Sequence, residues 1–190
     1  MRARILDAVV SLLVETGYAR TSTWAVCKRA QVSRGALLHH FPTRISLFVG
    51  AASHLAEAPL EVLDAKLAMT PAQQQPRVFL DWLWSTLDGD LFPVGLELLT
   101  AARTEPALLE AIRTGGDLLQ RRLEMSVERI SAAHDQTLKD PLATALLLSI
   151  PAIRGIGLDL AVGGDRQKHR RQFHAWAMVV EHALRLNRAS

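Results

Sequence analysis

Apolar side chains recur along this chain every three to four residues, and a sustained two-residue alternation appears nowhere. Ile5, Ala8, Val9, Leu12 and Leu13 follow the i, i+3, i+4 rule of an amphipathic helix, and Gly17 sits where it would close that helix. The Thr21-Ser22-Thr23 cluster opens a short second helix that buries Val26, Cys27 and Ala30. Ser33 caps a third over 34–41, which Pro42 stops. Thr43 caps a fourth that turns Leu47, Phe48 and Ala51 inward. No Glu follows three residues later, so this reads as a lone cap and not a capping box. Pro59 should kink or end that helix, and 70–76, rich in Pro and Gln, reads as a linker. Further helical blocks are expected at 77–87, 93–103, 106–133, 141–162 and 165–187. The pattern predicts an all-α fold of about nine helices.

Composition narrows this further. At 49% hydrophobic and 22% charged the chain is globular. Its net charge of +3 decides little, but the distribution does. Residues 1–50 hold seven Lys or Arg against Asp7 and Glu15, a balance of +5, and the remaining 140 residues carry −2. An electrostatic task belongs to the first quarter. A single cysteine, Cys27, excludes an internal disulfide framework and a multi-cysteine zinc site, and fits a reducing compartment. No secretory signal is visible at the start. The greasiest run, 142–153, is too short and too punctuated by Thr144, Ser149 and Pro151 to span a bilayer. The expectation is a soluble, cytoplasmic protein without membrane partners.

The chemistry concentrates in 21–44, TSTWAVCKRAQVSRGALLHHFPTR, where two short helices flank the turn Gln31-Val32-Ser33. That is helix-turn-helix spacing, with Val26, Ala30, Val32, Leu37 and Phe41 placed to pack the pair. The second helix then presents Arg34, Gly35, Leu38, His39 and His40 outward, a surface that fits the major groove of B-DNA. Gly35 has no packing role there and allows backbone and phosphate to approach closely. The stretch from Ile5 to Phe48, ILDAVVSLLVETGYARTSTWAVCKRAQVSRGALLHHFPTRISLF, closely resembles the DNA-binding domain of TetR/AcrR-type transcriptional repressors. Gly17-Tyr18, Thr21-Ser22, Val32-Ser33, Gly35 and His39-His40-Phe41 carry the likeness together.

The resemblance implies roles by position. Ser33, Arg34 and Gly35 open the recognition helix, with Leu38 on its outer face; His39 and His40 follow within reach of phosphates. Thr23, Thr43 and Arg44 sit where the family clamps the DNA backbone. Two departures stand out. Gln31 holds the turn position usually given to Gly, which costs about 1–2 kcal/mol if the left-handed conformation is kept. Leu38 replaces the usual Tyr, exchanging a phenol donor for a side chain suited to a thymine methyl.

The rest of the chain is less explicit. His54, Phe79, Trp82, Phe92 and Met125 are candidates to line an effector pocket, and Arg154, a charge in the most apolar helix, is the candidate for an acidic effector. His169, His174 and His182 share a helix, but no carboxylate or thiol completes a metal site at helical spacing; no metal and no cofactor is expected. The resemblance implies that the last two helices pair with a second copy as a four-helix bundle. Ile153, Gly157, Phe173, Trp176, Val180 and Leu184 are the candidate interface. The expected organisation is a helix-turn-helix domain over 1–48 and a helical effector-binding and dimerisation domain over 49–190. The expected function is a homodimeric repressor released from a palindromic operator by a small molecule. The alternatives are a helical small-molecule enzyme, for which no catalytic motif stands in the chain, and a DNA-organising protein without ligand control.

Overall fold

The computed structural model describes residues 1–186, with the side chains of 115–119 and 185–186 excepted. The described residues form nine α-helices and two 3-10 turns, with no strand. The α-helices are α1 (Arg2–Arg20), α2 (Thr23–Ala30), α3 (Arg34–His40), α4 (Arg44–Met69), α5 (Gln75–Ser85), α6 (Leu91–Ala102), α7 (Pro106–Ala132), α8 (Gln136–Ala161) and α9 (Arg166–Leu186). Residue 187, the expected end of the last helix, lies outside the described residues.

The chain divides into two compact units: 1–59 with 89–120, and 60–88 with 121–190. The division expected at 48/49 isolates the helix-turn-helix. The packing groups α6 and the start of α7 with it, because their apolar residues complete its core. Ile5, Leu6, Val9 and Leu13 of α1 pack with Val26, Leu37, Phe41, Leu47 and Phe48, and with Val94, Leu98, Ala102 and Leu108. Small domains bury a smaller share of their surface, and α6 with the start of α7 enlarges this core.

The second unit is built on α5, which packs against α8 and α9, themselves in contact. Phe79, Leu80, Leu83, Leu146, Ile150, Ile153, Phe173, Ala177 and Val180 are buried there. Asp64 accepts hydrogen bonds from both Arg122 (2.7 Å) and Arg129 (2.9 Å), tying the end of α4 to α7.

Three expectations change. Pro59 neither ends nor interrupts α4, which continues to Met69. Its ring removes one backbone donor, but burial of Leu60, Leu63 and Leu67 on the following turns sustains the helix. The 70–76 segment is no open linker, since it includes the turn Ala72–Gln74 and the start of α5, with Pro76 buried. The helix expected from 141 starts at Gln136 because Asp135 caps it, accepting from the Thr137 N–H at 3.0 Å. At 26 residues α8 is long and apolar enough, by length and composition, to cross a membrane. Its buried stripe of Leu142, Leu146, Ile150 and Ile153 nevertheless packs within its unit as a core helix does.

Candidate nucleic-acid interface

The helix-turn-helix is set by two serine caps and one left-handed residue. Ser22 accepts from the Ala25 N–H at 3.2 Å, and Ser33 from the Ala36 N–H at 3.1 Å, starting α2 and α3. Between them Gln31 holds φ 52°, ψ 49°, and the Val32 N–H donates back to the Cys27 carbonyl at 3.1 Å. The left-handed turn that the family gives to Gly is therefore made here by Gln, at a cost of about 1–2 kcal/mol.

Burial sorts α3 into two sides. Leu37 is buried, and Phe41, which caps the helix, is buried behind it; Ser33, Arg34, Gly35, Leu38 and His39 are exposed, with His40 intermediate. Arg34 and Leu38 stand one turn apart on the same face, as do Gly35 and His39. Among the described residues Arg34 has no ion-pair partner. A Cβ added at Gly35 would meet only the Ser33 hydroxyl, at 3.9 Å, so protein packing does not demand glycine there. Each expected α3 contact is accordingly presented together on one short helix.

The start of α4 is more elaborate than a lone cap. Thr43 Oγ1 accepts from the Ser46 N–H at 3.0 Å, while Ser46 Oγ accepts from the Thr43 N–H at 3.2 Å. This is a reciprocal capping box in which Ser replaces the usual Glu; the shorter side chain reaches because it also bonds the Thr43 carbonyl, at 2.8 Å. Thr43 is exposed and Thr23 half-buried at the first residue of α2.

Arg44, the expected phosphate clamp, is also held by contacts within the protein. Its Nη2 donates to the Tyr18 carbonyl at 2.7 Å, and its guanidinium lies 4.1 Å from the Tyr18 ring centroid and 4.7 Å from that of Phe48. Glu105 stands 3.9 Å from Nη1 and accepts the Tyr18 hydroxyl at 2.7 Å. Glu97 accepts the Tyr18 N–H at 2.8 Å beside Gly17, whose φ of 76° breaks the helical run of α1. Burial, with Glu105 as acceptor, pushes the Tyr18 phenol up to about 12. Arg44 thus knots the end of α1 to the start of α4. Tyr18, Arg44, Glu97 and Glu105, with Ser22, Thr23, Thr100 and Arg103, border a cavity of about 670 Å3.

One exposed residue carried no signal in the periodicity. Trp24, in the first turn of α2, is 72% exposed, and the Lys28 ammonium stands 5.4 Å from its ring centroid. The tryptophan at that position was the available cue: an indole at an outward helical position has no core to enter.

The comparisons bear on this segment. Residues 5–51 match the family described as bacterial regulatory proteins, tetR family. The likeness continues beyond that segment, to an uncharacterised HTH-type transcriptional regulator of Mycobacterium tuberculosis H37Rv, Rv2912c. The two are 35% identical over 112 residues, 58% of this chain and 57% of that protein. The HTH-type transcriptional regulator CymR of Pseudomonas putida is 34% identical over 113 residues, 59% of this chain and 56% of that protein. The chain therefore spans a little over half the length of these relatives. The fold extends further: the transcriptional regulator FadR of Bacillus subtilis, crystallised with stearoyl-CoA, aligns over 97% of both chains. Its TM-score is 0.70 at 17% identity.

The other expected sites are dispersed. Phe79 and Trp82 are buried with ring centroids 6.3 Å apart, whereas Met125 and Arg154 are exposed. His54 and Phe92 belong to the first unit, where His54 Nε2 lies 3.0 Å from Asp7 Oδ1. Neither cavity described here is bordered by any of the six. The second unit's cleft, about 450 Å3, is lined by Gln73, Gln74, Arg77, His134 and Glu181 among others. In it Arg77 donates to Asp81 at 2.9 Å and stands 3.4 Å from Glu181. Of the expected interface residues, Ile153, Gly157, Phe173, Val180 and Leu184 are buried inside their own unit. Trp176 is exposed at its rim, donating from Nε1 to Ser149 Oγ at 2.8 Å.

Proposed function

We propose that the chain is a homodimeric transcriptional repressor that reads a palindromic operator with α3 and is released from it by a small molecule. The observation that carries this reading is the outward face of α3: Arg34, Gly35, Leu38 and His39 are exposed together within a capped tetR-family helix-turn-helix, in the segment holding the +5 balance. That surface has the width, charge and uncommitted donors of a major-groove reader. Ser33, Thr23, Thr43 and His40 border it as backbone contacts. Arg44, expected with them as a backbone contact, also fixes α4 against α1.

A helix of seven residues reads few base pairs, so two-fold pairing is the natural way to reach operator specificity. The surface that supports pairing is the outward side of the last two helices. Leu148 and Leu158 of α8 and Val162 just beyond it, with Ala152 and Gly155 between them, and Met178 and Val179 of α9 are all exposed. Small residues among large ones suit close helix packing with a second copy. The buried candidates from the sequence hold the monomer together beneath that face. The cleft at Arg77, His134 and Glu181, or space around Phe79 and Trp82, would accept the effector. The protein would act in the cytoplasm, with no cofactor.

Selecting fragments of the source genome on the full-length protein and titrating retention against salt tests this reading. A repressor returns one palindromic motif, bound well above random duplex. A motif-free collection with only a steep salt slope would replace it with a DNA-organising protein, and no retention even at low salt would remove DNA binding altogether.

A further inference from the structure

Trp24 is the most exposed aromatic residue described in the first unit, and the protein gives it no packing function. On α2, Val26 and Ala30 face the core, whereas Trp24 and Lys28 stand at i and i+4 and are both exposed. Among the described residues none accepts a hydrogen bond from the indole N–H. Leaving so large an apolar surface in water forgoes the gain of burial, and an indole joins an apolar face to a polar N–H as interface residues do.

The surroundings identify the partner. No other large apolar side chain is exposed on α2; beyond Trp24 its exposed residues are Lys28 and Arg29, of which Arg29 is paired with Glu15. A protein partner would demand a contiguous apolar patch around an aromatic anchor, and this surface has none. It is basic, and it sits beside the capped starts of α2 and α3. The Lys28 ammonium stands over the indole, 5.4 Å from the ring centroid, so a cation accompanies the ring. An indole with an apolar face, one N–H donor and an adjoining ammonium matches a deoxyribose with the phosphate next to it.

We propose that Trp24 is a DNA-backbone contact: its face lies on a deoxyribose flanking the half-site, its N–H donates to a phosphate oxygen, and Lys28 neutralises that phosphate. The proposal rests on the DNA-binding reading above and extends it from α3 to the exposed stripe of α2. It assigns Trp24 an affinity that is apolar and short-range, and Lys28 one that is ionic.

Those two signatures separate in one experiment. Anisotropy of a labelled operator duplex, and of a scrambled duplex of equal length, is followed against salt for the full chain and for Trp24→Ala, Trp24→Phe and Lys28→Ala. Trp24→Ala should weaken both duplexes by about tenfold with the log–log salt slope unchanged. Trp24→Phe, which keeps a face but loses the donor, should recover part of that loss. Lys28→Ala should lower the slope by about one. Equal affinity of wild type and Trp24→Ala would overturn the assignment, as would a loss confined to the operator, which would make Trp24 a base contact. Thermal unfolding of each variant reads the fold independently. Wild-type protein that binds neither duplex would overturn the DNA reading first, and this assignment with it.

Discussion

Tyr18 is the only tyrosine in the chain, so phenolate absorbance reports directly on the knot it forms with Arg44 and Glu105. Burial and the Glu105 acceptor raise its pKa to about 12, above the ordinary 10. The folded state therefore holds the proton more tightly than the unfolded chain. This contribution to stability is complete below about pH 10 and is lost as pH rises towards 12. Spectrophotometric titration should show a midpoint near 12 in the native protein and near 10 in denaturant; a native midpoint at 10 would mean the knot does not form. Gln31 gives a second residue-scale test. Because its φ is 52°, Gln31→Gly should raise the denaturant midpoint by about 1 kcal/mol of stability with an unchanged slope. The left-handed Gln31 was expected only through the family resemblance, whereas the exposed Arg34 was legible from spacing alone. Arg44 was not, because a sequence shows a cation at a helix start without showing that Tyr18, Thr21 and Glu105 already surround it. Trp24 was likewise invisible to periodicity, which counts apolar positions without asking which lack a core to enter.

The helices were legible wherever an apolar stripe and a cap coincided, as in α1 through α3. They were less so where one signal contradicted the other. Pro59 looks like a terminator, yet the apolar residues beyond it keep α4 helical; Pro141 looks like a start, yet Asp135 caps α8 five residues earlier. At α4 the search for Glu missed Ser46, because a hydroxyl also closes the box when its own backbone turn brings it near. The reciprocal geometry predicts coupling. Thr43→Ala and Ser46→Ala should each cost about 1 kcal/mol, and the double variant clearly less than their sum. Strict additivity in urea unfolding would mean that the two hydroxyls act separately.

At the scale of the molecule, the head does not end where the motif ends. Val94, Leu98 and Leu108 complete a core begun by Ile5 and Phe48, so the 1–48 segment draws on α6 and α7 for burial. The motif marks chemistry, whereas the unit boundary is set by which apolar faces meet, and sequence spacing reports only the first. The expected dimer residues show the same gap: a stripe such as Phe173, Ala177, Val180 and Leu184 has the period of an interface and of a core alike, and here it faces the core. The exposed face instead carries Leu148, Met178 and Val179. Met178→Asp with Val179→Asp should weaken self-association at least about a hundredfold, near 3 kcal/mol, read as a monomer by light scattering while helicity is kept. An unchanged mass would place the dimer contact elsewhere. The central claim is that two copies of α3 read one operator together, and hydroxyl-radical footprinting of the full chain on its selected fragment tests it most directly. The account predicts two symmetric protected patches on one face of the duplex, about 10 base pairs or a multiple of that apart, both lost with Arg34→Ala. A single patch, or protection that ignores Arg34→Ala, would contradict it.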